Sequence, residues 1–215
     1  MNKRELVTPM VEQIEAAIDA GDQAEAKRLL GLMVGDWTRN KDYSINWITS
    51  LLSFIGRRMG NDAVEEALRD FGERYLRARR GGGAEPRKMV EYVARAMKAN
   101  GASVELDEDD QRWELRFRCG SGGTLIDEGA YAPPRDYLVF TAKGPLTYGE
   151  ESIPVYCAHC PVNNEIQPIE WDGVPASIVY PQTEPGGICT HHIYKDPSLI
   201  PASVYERIGK RPPEA

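Results

Sequence analysis

The sequence predicts an α+β protein: a helical layer over residues 1–101 packed on an antiparallel β region over 102–215. Three observations carry that expectation. Apolar residues recur at three- and four-residue spacing as far as residue 101 and then alternate, the change from helical to strand period. Thirteen of the 15 prolines and 7 of the 10 tyrosines follow residue 101, so the chain changes composition where it changes period. Charge divides there too, with 17 basic and 15 acidic side chains before it against 9 and 18 after it.

In order, "KRELVTPMVEQIEAAIDAG" is amphipathic and stops at Gly21, and Asp22 is placed to cap "DQAEAKRLLGLMVGDW". In "DYSINWITSLLSFIGRRMG", Ile45, Ile48, Leu52, Ile55 and Met59 form one face; Trp47, Leu51 and Phe54 widen it, so this helix is expected to be buried on two sides. "NDAVEEALRDFGERYLRARR" starts at an Asn cap and sets Val64, Leu68, Phe71 and Tyr75 on one stripe. "GGGAEP" breaks it, and Pro86 opens "RKMVEYVARAMKANG" from a first turn that tolerates proline. Beyond residue 101, "SVEL" and "RWELRFRC" alternate about "DEDDQ" as a hairpin. "DYLVFT", "IPVYC", "ASIVY" and "GICTHHIY" are further strands between Pro and Gly punctuation, and "PASVYERIG" is a closing helix.

Length and composition bound the function. At 215 residues with 41% hydrophobic content the chain can bury a sizeable core. A net charge of −7 and a pI near 5.1 argue against a nucleic-acid track. No apolar run reaches the roughly 18 residues of a membrane span, and the N-terminus has no apolar signal region, so a cytoplasmic protein is expected. Thiols stay reduced there, and four cysteines then favour metal binding or catalysis over a disulfide framework.

All four cysteines and all three histidines fall after residue 101, in "RCGSGG", "YCAHC" and "ICTHH". A C-x-x-C turn brings two sulfurs within reach of one ion. Cys119, Cys157, Cys160 and Cys189 are therefore candidate metal ligands, with zinc the expected ion and an iron–sulfur cluster the alternative. The spacing excludes a Cys2His2 finger, a zinc deaminase and HExxH. Four bound thiolates would close the site; one held back would leave an open position or a free nucleophile.

The glycines of "CGSGG" suit either a tight turn or an anion cradle, which makes Ser121 and Gly122 candidate substrate-binding residues, with His192 beside them. Glu165 and Glu170 are candidate bases, Glu170 the one assigned a catalytic role with His159. His159 sits inside the C-x-x-C, where its ring would crowd the same ion as a ligand and so must point elsewhere.

A helical first half followed by "RCGSGG", "YCAHC", "IEWDGVP", a late lone cysteine and "YKDPSLIP" resembles a group of bacterial proteins similar to the L-2-amino-thiazoline-4-carboxylate hydrolase family. That resemblance implies a small-molecule hydrolase that opens a C–N or C–S bond in a ring or amide-like substrate; it carries over no catalytic residue. The resulting expectation is a zinc-dependent hydrolase of a small metabolite, heterocyclic or anionic. The alternative is a binding or sensor module with a structural four-cysteine zinc. A redox protein using Cys157 and Cys160 ranks third. A small-molecule ligand is the expected partner, and the apolar helix faces suit a homodimer.

Overall fold

The computed structural model describes residues 6–80 and 85–213; the expected glycine break at 81–84 and the charged residues 1–5 lie outside that range. Two compact units divide between residues 44 and 45. The compositional boundary at 101 is thus not where the packing divides.

In the first unit, helix α1 (Met10–Asp19) ends at Gly21, whose φ of +73° is a left-handed conformation that favours glycine. The Asp22 N–H donates to the Ala17 carbonyl at 2.8 Å, and Asp22 Oδ1 accepts the Glu25 N–H at 3.0 Å. Asp22 thus closes one helix and caps the next, as its position predicted. Helix α2 is single, Gln23–Met59, where two helices were expected. The stretch 36–55 has neither Gly nor Pro, and Thr38 bonds back to the Val34 carbonyl at 2.9 Å, so nothing interrupts it.

The second unit begins within α2. Ile45, Thr49, Leu52 and Ser53 are buried, whereas Trp47, Leu51 and Phe54 are exposed, so the helix is buried on one side and not two. Helix α3 (Asn61–Phe71) runs on through a π-helical turn, Gly72–Leu76, into Arg77–Arg80. Gly60, at φ +91°, occupies the N-cap position assigned to Asn61. The wide turn also rotates the apolar face: Val64, Leu68 and Leu76 are buried, and Phe71 stacks on Tyr75 outside the core at 5.3 Å. A second π-helical segment, Pro161–Ile166, packs beside the first. A Cβ on Gly72 would fall 1.9 Å from Gln167 Oε1, so glycine is what lets the two approach. Gln167 Nε2 donates to the Arg69 carbonyl at 2.9 Å and satisfies a group at that irregular turn.

Strands β1 (Val104–Glu108), β2 (Arg112–Phe117), β5 (Ile178–Tyr180) and β6 (Cys189–Tyr194) form an antiparallel sheet in the order β1-β2-β6-β5. The hairpin is closed as expected, Asp109 Oδ1 accepting the N–H groups of Gln111 and Arg112 at 2.8 Å. Helix α4 (Pro86–Ala99) lays Met89, Val90 and Val93 on Leu115, Phe117 and Ile193 of the sheet. Each such side chain, fully buried, contributes about 1.5–3 kcal/mol. Two expected strands shrink to β3 (Val139–Phe140) and β4 (Ile153–Pro154), which pair with each other. From Val155 the chain coils into a 3-10 turn, the π-helical segment and α6 (Gln167–Asp172). "YCAHC" is consequently helical, and "NNEIQPIEWDG" is a helix where a loop was expected. A short α5 (Gly122–Asp127) follows Cys119, and α7 (Ala202–Glu206) is the expected closing helix.

Candidate active site

A cavity of about 210 Å³ brings together "CGSGG", "YCAHC" and "ICTHH". Cys119, Cys157, Cys160, Cys189, Ser121, Gly122, His159 and His191 all line it, together with apolar and amide side chains. Among the described residues no Lys, Arg, Asp or Glu does so. Sheet geometry supplies one wall: Phe117 on β2 pairs with Cys189 on β6, and Cys119 follows two residues later as the chain leaves the sheet. The C-x-x-C helix supplies the facing wall. Close approach of the two is made by glycine, since a Cβ on Gly122 would stand 2.8 Å from Cys157 Sγ and 3.2 Å from Tyr156 Cδ1. A Cβ on Gly123 would stand 2.6 Å from Gln182 Oε1 and 3.0 Å from Cys119 Cβ. Neither has a positive φ. These glycines serve close packing, not left-handed backbone.

Cys119 Sγ lies 3.3 Å from the Ser121 hydroxyl. The Cys189 thiol, the N–H groups of Gly123 and Ser121, and the Ser121 hydroxyl all favour its ionised form. Led by Cys189, these donors hold the Cys119 thiol well below the usual thiol range, against the opposing effect of burial. Its partner moves the other way. Donating to Cys119, and buried, Cys189 is pushed far up and stays a thiol, while its sulfur accepts the Gln182 N–H at 3.2 Å. Burial also pushes Cys157 up.

His159 is held by its Nδ1, 2.5 Å from the Tyr156 carbonyl, where only an Nδ1–H can donate. That tautomer leaves Nε2 as the acceptor, 3.4 Å from Cys160 Sγ. Burial lowers its pKa, so the neutral ring persists below the ordinary value.

Among the described residues no group of three or more His, Cys, Asp or Glu side chains is arranged to hold a metal ion. Cys119 and Cys189 both line the cavity, and Cys160 faces the His159 imidazole. Three further candidates, His192, Glu170 and Glu165, do not line this cavity. His192 is on the opposite face of β6, with its Nε2 2.9 Å from Glu114 Oε2, and does not line the cavity. Glu170 accepts from Arg69 at 2.6 Å and from Lys210 at 2.5 Å on the outside of the unit. Glu165, fully buried, is 2.6 Å from Arg207 and accepts the Val179 N–H at 2.8 Å, again away from the cavity. His191, a candidate in "ICTHH" with no role assigned to it, does line the cavity, and its Nδ1 is 3.1 Å from Ser177 Oγ. Strand alternation in "CTHHIY" holds the signal: a period of two puts Cys189 and His191 on one face and His192 on the other.

Comparison with protein-family models, curated proteins and solved structures gives no match to this chain.

Proposed function

We propose that the protein is a cysteine-dependent hydrolase of a small, uncharged molecule, with Cys119 as nucleophile and His159 as the proton-transferring base. The observation that supports this best is the convergence of donors on Cys119 at the wall of a cavity that His159 also lines. A thiolate, not a thiol, attacks carbon, and donors that lower a cysteine's pKa raise the attacking fraction at neutral pH. Attack forms a carbon–sulfur bond; the carbon–nitrogen bond breaks, and the departing nitrogen takes a proton from water. A second water, deprotonated by the neutral Nε2 of His159, adds to the thioester carbon and returns the thiolate, and the imidazolium gives its proton to the hydroxide left by the first step. The resemblance drawn from "CGSGG" and "YCAHC" points to the same reaction class. A cavity without a cationic side chain suits an uncharged substrate and argues against an anionic one.

The test is a panel of small amides, thiazolines and thioesters, with products read by mass spectrometry. The wild-type chain is expected to hydrolyse at least one member, and Cys119→Ser to lose about 10³-fold or more. Retained turnover in Cys119→Ser would overturn the reading. So would purified protein carrying one zinc per chain with all four thiols protected, which would restore the four-cysteine metal centre.

A further inference from the structure

Cys189 forms no covalent bond in the proposed hydrolysis, yet it shares the cavity wall with the proposed nucleophile. Cys189 lies 70 positions along the chain from Cys119, yet both thiols line one cavity, and Phe117, two residues before Cys119, pairs with Cys189 across β2 and β6. A sulfur–sulfur bond of about 2.05 Å would thus join two segments that the sheet already holds side by side. The other two thiols are differently placed. Cys157 is buried against Gly122 and Tyr156, and Cys160 faces His159 Nε2 at 3.4 Å.

We propose that Cys119 and Cys189 form a reversible disulfide when a small hydroperoxide enters the cavity, Cys119 being the sulfur first oxidised and Cys189 the one that resolves it. In the first step the Cys119 sulfur attacks the terminal peroxide oxygen. The O–O bond breaks, ROOH is reduced to ROH, and Cys119 becomes a sulfenic acid. In the second step the Cys189 sulfur attacks Cys119, the S–O bond breaks, and the hydroxyl leaves as water with the Cys189 proton. One disulfide results, and an external dithiol reverses it by exchange, being itself oxidised. The protonated state of Cys189 suits this step, because the departing hydroxyl needs a proton at that point. The uncharged lining admits a neutral peroxide. The disulfide occupies the nucleophile, so oxidation switches hydrolysis off, and it spares Cys119 the irreversible sulfinic and sulfonic states.

The inference rests on the proposed function only for the meaning of the switch; the bond itself is read by mass, without any substrate. Purified protein is treated with equimolar hydrogen peroxide at neutral pH, free thiols are alkylated under denaturing conditions, and the digest is analysed. A peptide linking Cys119 to Cys189 is expected, with Cys157 and Cys160 alkylated, and dithiothreitol should return all four thiols. In Cys189→Ala the same treatment should leave Cys119 as a sulfenic acid trapped by dimedone, passing to sulfinic acid with more peroxide. Should that variant fail to fold, Cys189→Ser and the wild-type linkage carry the test. A Cys157–Cys160 linkage, four unchanged thiols, or Cys119 sulfinic acid accumulating equally in wild type and Cys189→Ala would each overturn the proposal. A missing linkage beside an inactive Cys119→Ser would leave the hydrolase reading standing; a linkage beside an active Cys119→Ser would leave only the disulfide.

Discussion

Gly122→Ala tests the close approach that builds the cavity. The added Cβ would sit 2.8 Å from Cys157 Sγ and 3.2 Å from Tyr156 Cδ1, the first distance below any normal contact. Neither neighbour is free to withdraw. Cys157 is buried within a 3-10 turn, and the Tyr156 carbonyl holds His159. Overpacking of this kind costs about 1–3 kcal/mol, which in a unit of this size lowers Tm by about 2–12 °C at about 2–4 °C per kcal/mol. Calorimetry reads the single variant, and a double-mutant cycle with Cys157→Ala identifies the cause. Removing the sulfur should make room for the new methyl, so the double variant should be more stable than the two single effects added together by about 0.5–3 kcal/mol. A neutral Gly122→Ala, or strict additivity with Cys157→Ala, would refute the claim that this glycine joins the two cysteine-bearing segments.

His159→Asn should keep the fold and lose about 10²-fold or more in turnover, if a hydrolysed substrate is in hand; an unchanged rate would make the ring structural. Its lowered pKa has a defined sign: the neutral ring is at no disadvantage above its ordinary value of about 6.5 and destabilises the fold as pH falls below it. Urea titrations of wild type and His159→Asn should therefore diverge on the acid side, and parallel pH curves would contradict this. Arg207→Met strands the fully buried Glu165, which Arg207 meets at 2.6 Å, and should cost about 3–5 kcal/mol at pH 8. Burial already pushes that carboxyl up to about 7 against the pull of Arg207, so protonation at pH 5 should recover part of the loss. Equal losses at the two pH values would count against a buried charge.

The helices and the hairpin were legible because they depend on local period and punctuation. Asp22 behind Gly21, and Pro86 at a first turn, are read from a few neighbours. What was not legible depended on distant partners. The 37-residue length of α2 follows from the absence of a breaker, a weaker signal than the presence of one. The exposed Trp47 face could not be told from a buried one, because apolar spacing says nothing about what lies opposite. At the site, grouping the four cysteines around one place was within reach of the sequence, and the structure sets them around one cavity. Their pairing was not. That Cys189 sits opposite Phe117, two residues before Cys119, follows from the register of β2 on β6, which no local pattern encodes. His192 was favoured over His191 only because strand alternation was left unused.

The central claim is that Cys119 is the reactive thiolate of this cavity, and native alkylation measures it most directly. The folded protein is exposed to a limiting amount of iodoacetamide at pH 6.5, quenched, digested and mapped. The donors around Cys119 keep it ionised below the usual thiol range, while Cys157 and Cys189 are pushed above it. The account predicts carbamidomethylation at Cys119 ahead of both, falling away only well to the acid side of a free cysteine's pKa of about 8.5. Label on Cys157 or Cys189 first, or a Cys119 that reacts no faster at pH 6.5 than a denatured thiol, would contradict it.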